Sequence, residues 1–263
     1  MSDRGERYTG GVESLTPLAP RRLRRVLFRQ FWRDLVFLHW EVDPFDVARL
    51  LPPGTVPDLY RGRAYAGLVF FRMEDLAFGN GPPLPYLGTF NEVNVRLYSR
   101  DALGRRGVVF RSLDCDRLLP VLAARAGFGL PYRWARVSRQ WHGRHLVYRT
   151  RGRLHERPSG RVRVRVSDDT VGLRPLDEFL THRWGLHERG PTRTYYLPNA
   201  HPAWTFRRCD LLDRDASLLA AAGVAPLRAE PDSVLYAPGV PVRFGTPVPL
   251  PSPGRARRPG RAR

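Results

Sequence analysis

The chain has 263 residues, of which 42% are apolar and 11% aromatic, enough for one large domain or two small ones with a substantial core. No run of 18 apolar residues exists, which excludes a conventional membrane-spanning helix, and no uninterrupted apolar stretch marks a secretory signal. The formal net charge is +19 from 44 basic and 25 acidic side chains, and every basic residue is arginine, so no side-chain amine is available to form a Schiff base.

Taken in order, residues 1–25 are polar and carry Arg21, Arg22, Arg24 and Arg25, which predicts a flexible basic arm. Val26–Trp32 leads into the domain, or forms a short amphipathic helix on a membrane surface. Asp34–Trp40 is an apolar β-type run. Asp43 and Pro44 are a cap and first-turn proline for a helix that ends before Pro52-Pro53-Gly54. Arg63–Met73 is a strand with a buried centre, and Phe90–Ser99 alternates with period two. Leu103–Gly107 turns, and Val108–Leu113 returns as a strand. Leu118–Ala126 reads as a helix closed by Gly127. Arg144–His155 and Arg161–Ser167 form a hairpin around Pro158-Ser159-Gly160. Leu176–His182 and Ser217–Ala222 are short helices. The Arg/Pro/Gly tail, residues 251–263, is expected to be disordered, which leaves 26–250 as a single domain. Many strands and few helices predict an α+β, mainly β barrel.

The ends hold a disproportionate share of the charge: residues 1–29 contain seven arginines against three acids, and residues 252–263 five arginines and no acid. Total absence of lysine fits codon bias better than selection for a phosphate-binding surface, where lysine would also serve. Cys115 and Cys209 are the two cysteines. They make neither a disulfide framework nor a cysteine zinc site, so a reducing cytoplasm is the expected compartment.

Four groups are candidates for chemistry. On Phe90–Ser99, alternation lines up Glu92, Asn94, Arg96 and Tyr98 at about 6–7 Å intervals. Facing outward they are a solvated surface; facing into a barrel they are buried charges that mark a site. His39 ends an apolar run beside Trp40, where a histidine is either a core residue or a proton carrier. His142-x-x-His145 is a weak metal pattern, because on one strand the two rings point to opposite faces. Arg149, Arg151 and Arg153 share one parity, and Arg161, Arg163 and Arg165 another, so a hairpin gathers up to six guanidiniums on one face. That face suits phosphates or an acidic lipid surface, or is merely solvated. Metal-protease, P-loop, dinucleotide and Gly-x-Ser-x-Gly motifs are absent, and no metal or cofactor is called for. Poor aromatic interleaving and the lack of a nucleic-acid fold signature weigh against nucleic acid as partner.

An ordered series of motifs runs through the chain. Trp32-x5-Leu38-His39-Trp40, Leu50-Leu51-Pro52 and Gly62-x-Ala64-Tyr65-x-Gly67-Leu68-Val69-Phe70-Phe71-x-Met73 come first. Phe90–Tyr98, Gly107–Asp114, Leu130-Pro131-Tyr132, Phe179–Trp184 and His201-Pro202-x-Trp204 follow. Together they resemble the YqjF-like family, domain of unknown function 2071, over roughly residues 30–250. That family is grouped with the acetoacetate decarboxylase-like superfamily. The resemblance implies one antiparallel β-barrel or cone with a few flanking helices and an internal pocket, with Glu92, Asn94 and Arg96 facing inward. It supplies no activity. The superfamily's lysine Schiff-base mechanism does not carry over to a chain without lysine. Arg111 and Trp184 depart from the expected pattern near the pocket mouth.

The expected function is therefore a small-molecule pocket protein, with an anionic ligand. As an enzyme it would act on a small carboxylate or keto compound by lysine-independent acid–base chemistry. Glu92 or His39 would move a proton, Arg96 would bind the carboxylate, and Asn94 or Tyr98 would hold a developing oxyanion. Ser112, Asp114, Arg183 and His201 complete the candidate binding set. The alternatives are a non-catalytic binder using the same pocket, and a basic surface protein contacting nucleic acid or acidic lipid. Glu92 and Arg96 are also open to reading as a buried ion pair that fixes the sheet.

Overall fold

The computed structural model describes residues 11–118, 129–153, 158–190 and 192–251; most of the helix expected at Leu118–Ala126 and the tail from residue 252 lie outside them. The strands are β1 (Phe28–Val42), β2 (Thr55–Pro57), β3 (Ala64–Phe78), β4 (Phe90–Asp101), β5 (Arg106–Cys115), β6 (Tyr132–His142), β7 (His145–Gly152), β8 (Ser159–Val171), β9 (Gly185–Arg189), β10 (Thr194–Ala200), β11 (Phe206–Asp215), β12 (Ser233–Phe244) and β13 (Val248–Pro249). Among the described residues three short helices, α1 (Pro44–Leu50), α2 (Pro175–Thr181) and α3 (Ser217–Ala221), flank them. α1 starts as its sequence dictates: Asp43 accepts a hydrogen bond from the Phe45 amide, and Pro44 occupies the first turn.

Closure follows from β5, which pairs with β4 along its length and with β6 at its end. The ring β5-β6-β7-β8-β11-β12-β1-β3-β4 is a nine-stranded barrel. A second ring branches from the same wall. β9 runs beside β5 at Val108, β10 pairs with β9, and β10 reaches β12 at Asn199 and Ala200. The wall β12-β1-β3-β4-β5 is therefore covered on both faces. Val36, Leu38, Leu68, Val93, Val95 and Leu97 pack into one core, and Leu35, Phe37, Val69, Phe71 and Leu113 into another. Such double coverage explains why β1 and β3 read as near-continuous apolar runs rather than as clean alternation.

Two irregularities set which side chains reach which face. In β1 the pairing with β3 shifts between Arg33 and Val36, around Asp34, whose φ is +52°. Trp141 Nε1 and Tyr236 OH donate to its carboxylate at 3.1 and 2.8 Å, and Arg139 pairs with it. The extra residue switches parity, so Gln30 and Trp32 before it, and Leu35 and Phe37 after it, line the same cavity. In β5 the bulge falls at Arg111, because Val95 pairs with Ser112 but Arg96 with Phe110.

The segment expected to be a flexible arm is irregular but docked over residues 11–25. The Glu13 amide donates to the Gly104 carbonyl, Arg106 holds the Glu13 carbonyl at 2.7 Å, and Trp184 Nε1 donates to the Thr16 carbonyl at 3.1 Å. Arg21 bonds Glu13 and Tyr196 OH. The amphipathic helix considered for Val26–Trp32 is instead the start of β1.

Candidate active site

The polar row of β4 points inward. Glu92, Asn94 and Arg96 line a cavity of about 110 Å³, with Tyr132, Arg183, His201, Gln30, Thr181 and Asn199 among its other polar residues. Aromatic rings make up much of the rest, including Trp32, Phe37, Phe71, Phe110 and Trp204. A buried, mostly apolar chamber with few convergent polar groups is the usual form of a small-molecule site.

Glu92 is 2% exposed. Tyr132 OH donates to it at 2.7 Å and Asn94 Nδ2 at 3.5 Å. Burial outweighs those bonds and, with Asp114 nearby, raises its pKa to about 7. A carboxyl at that value is divided between its two forms near neutral pH, the condition for taking and returning a proton. No ion pair joins Glu92 to Arg96 among the described residues, so the sheet-fixing pair is not formed. Arg96 instead donates from Nε to Tyr98 OH at 3.1 Å and from Nη2 to the Leu180 carbonyl at 3.2 Å. It packs over the Phe37 ring at 5.3 Å, and Gly67 makes room for it, since a Cβ there would sit 3.2 Å from Arg96 Cγ and Nε.

His201 lies between Trp184 and Trp204, with centroids at 4.4 and 4.6 Å. Burial lowers its pKa to about 4, so the ring is neutral. Its Nδ1 is 2.6 Å from the Pro202 carbonyl, which can only accept. The proton therefore sits on Nδ1, and Nε2 is an acceptor.

Four expected site residues lie elsewhere. His39 is fully buried behind the cavity, against Phe37 and Tyr98. Neither of its nitrogens has a partner among the described residues, and burial with Arg96 and Arg183 nearby holds its pKa well below the ordinary 6.5. It is a neutral core ring that does not line the cavity. Tyr98 is buried under the two guanidiniums and acts on the cavity through them. Ser112 and Asp114 face the other core because the Arg111 bulge reverses their parity. Asp114 is occupied by Arg133 at 2.7 Å and Thr150 at 3.2 Å. Arg111 itself bonds the Leu50 and Ala222 carbonyls, away from the cavity, whereas Trp184 packs against His201. Tyr132 is the site residue that sequence reasoning misses; it stands in the Leu130-Pro131-Tyr132 motif, but nothing local assigns its hydroxyl to Glu92.

The remaining constellations differ from expectation in detail. His142 and His145 are cross-strand partners across a tight turn at Gly143, not members of one strand. Arg149, Arg151, Arg161, Arg163 and Arg165 are exposed on the outer sheet face. β11 neutralises part of that face, with Asp213 pairing Arg161 at 2.7 Å and Asp210 pairing Arg165 at 2.8 Å. Ser99, His187 and Asp101 form a nucleophile–base–acid line, at 2.8 and 3.3 Å. Ser99 and His187 are sealed at 0% exposure and line no described cavity, so this line fixes β4 to β9 without access for a substrate.

The sequence model of a family described as an uncharacterized conserved protein, DUF2071, matches residues 29–241. The chain belongs to the DUF2071 family. YqjF of Bacillus subtilis (strain 168) is 30% identical over 186 residues, covering 70% of this chain and 76% of YqjF. Among solved structures, the chain is similar to the enduracididine biosynthesis enzyme MppR complexed with the condensation product of pyruvate and imidazole 4-carboxaldehyde, at TM-score 0.59 and 18% identity, covering 85% of this chain and 89% of MppR. It is equally similar in shape to acetoacetate decarboxylase from Legionella pneumophila, at TM-score 0.59 and 16% identity, covering 89% and 92%. This DUF2071 chain thus has the acetoacetate decarboxylase-like fold. Among its described residues, no helix is long and apolar enough to cross a membrane.

Proposed function

We propose that this protein binds a small carboxylate in the barrel cavity and moves a proton on it with Glu92, without a covalent imine. The observation that carries the reading is a buried carboxyl with a pKa of about 7 in the same chamber as the guanidinium of Arg96. Arg96 holds the ligand's carboxylate; Glu92 takes a proton from the carbon next to a carbonyl and returns it. The bond broken is C–H, the electron pair becomes an enolate, and Asn94 stands beside Glu92 as the amide donor for its oxygen. Tyr132 keeps Glu92 oriented. MppR, which shares the fold, is known complexed with pyruvate, which supports a short oxo acid as the first compound to try. The free cysteines are compatible with a cytoplasmic setting.

The test is solvent exchange. Pyruvate incubated with the protein in D2O is followed by proton NMR. Loss of the methyl signal that is abolished in Glu92→Gln is expected. Binding without exchange, weakened by Arg96→Ala, would make the protein a carrier or sensor using the same pocket. Exchange that persists in Glu92→Gln would refute the role of Glu92.

A further inference from the structure

Two guanidiniums line one cavity, and neither has a carboxylate to itself. Arg183 is 4% exposed. Its Nε donates to the Phe179 carbonyl at 2.8 Å and its Nη1 to Asp58. Its Nη2 is buried with no hydrogen-bond partner among the described residues. Asp58 does not balance it, because the same Oδ2 also receives Arg106 Nη1. That group sets two guanidiniums against one carboxylate. Arg96 gives its Nε and Nη2 to neutral oxygens and forms no ion pair among the described residues. The two guanidinium carbons sit 5.5 and 4.9 Å from the centroid of the same Tyr98 ring, and both arginines line the one cavity, so one short molecule can touch both. Positive charges taken out of water are strongly unfavourable unless an anion meets them. The cavity is therefore short of negative charge by more than a single neutralised arginine.

We infer that the ligand is a short dicarboxylate, with one carboxylate on Arg96 and the other on Nη2 of Arg183. The inference rests on the carboxylate reading above and adds a second anionic group to it. The cavity volume of about 110 Å³ and the aromatic walls confine the spacer to a few carbons. Asp58 is a positioning residue: by holding Nη1 it leaves Nη2 as the nitrogen without a partner among the described residues. Arg106 is fixed in turn by Glu13 of the docked N-terminal segment, whose carboxylate accepts from the Arg106 amide at 2.9 Å. That chain ties the segment to the cavity wall.

The test compares malonate, succinate and glutarate with their monoamides by isothermal titration calorimetry on the full chain at pH 6, where Glu92 adds little negative charge. At least one diacid is expected to bind tenfold or more tightly than its own monoamide, since a charge-assisted hydrogen bond to Nη2 is lost in the amide. In Arg183→Gln that ratio should fall toward one, the diacid losing more affinity than its monoamide. The wild-type ratio decides the matter if the variant does not fold. Diacids that bind no tighter than monoamides would overturn the second carboxylate and leave the single-carboxylate reading standing. Binding of neither kind would overturn both.

Discussion

Replacing Glu92 by glutamine tests the electrostatics of the site separately from any substrate. The buried carboxyl has a pKa of about 7 against its ordinary 4.5. Because the folded value is raised, its stabilising contribution is complete below about pH 4.5 and is lost as pH rises through about 7. In that window the unfolded chain releases a proton that the folded chain keeps. The difference corresponds to about 3 kcal/mol of folding free energy lost across the window. Glutamine retains an oxygen for Tyr132 OH, but cannot ionise. Urea unfolding of both proteins at intervals from pH 4 to 8 should show the variant gaining on the wild type by up to about 3 kcal/mol over this range. Glu188, also buried and raised to about 8, titrates in both proteins and cancels in the comparison. Parallel stability profiles would refute the assignment of a neutral-pH titration to Glu92, and with it the proposed proton transfer.

Gly67→Ala places a Cβ 3.0 Å from the His39 ring and 3.2 Å from Arg96; it should weaken carboxylate binding about tenfold and cost about 1–3 kcal/mol of stability, read by calorimetry and by thermal unfolding. His39→Leu removes two buried nitrogens that have no partner among the described residues; stability at pH 7 should hold or rise by about 1 kcal/mol, while the ligand dissociation constant stays within about threefold. A large loss of affinity there would mean that His39 reaches the ligand after all. Asp34→Ala strands the Tyr236 and Trp141 donors and keeps a non-glycine residue at φ +52°; a loss of about 3 kcal/mol or more is expected by urea unfolding, with a perturbed cavity wall visible as altered tryptophan fluorescence.

Much of the architecture can be read locally. Period two in Phe90–Ser99 places Glu92, Asn94 and Arg96 on one face, and they do share the cavity. The Asp43-Pro44 signal starts a helix where α1 begins. The ordered motifs carry the family and its barrel fold, and the absence of lysine closes the imine route on composition alone. These features depend on neighbours within a few residues, or on composition, and a chain displays them directly.

Other features depend on contacts between distant segments. Whether β4 faces inward is undecidable from alternation alone, because a covered sheet and a solvated one share the same period. Parity fails at Ser112 and Asp114 since the Arg111 bulge, visible only against β4, reverses the faces of β5. β11 and β12 have no distinct local signal, and the five residues of β9 gain a partner only where β5 passes. His39 becomes a core ring once Tyr98 and Gly67 close around it. The raised pKa of Glu92 likewise has no sequence signal: it follows from burial by strands tens of residues away. Residue order determines which side chains are available and their local periodicity, whereas barrel closure decides which of them lose water, and desolvation is what makes a glutamate and two arginines a candidate site.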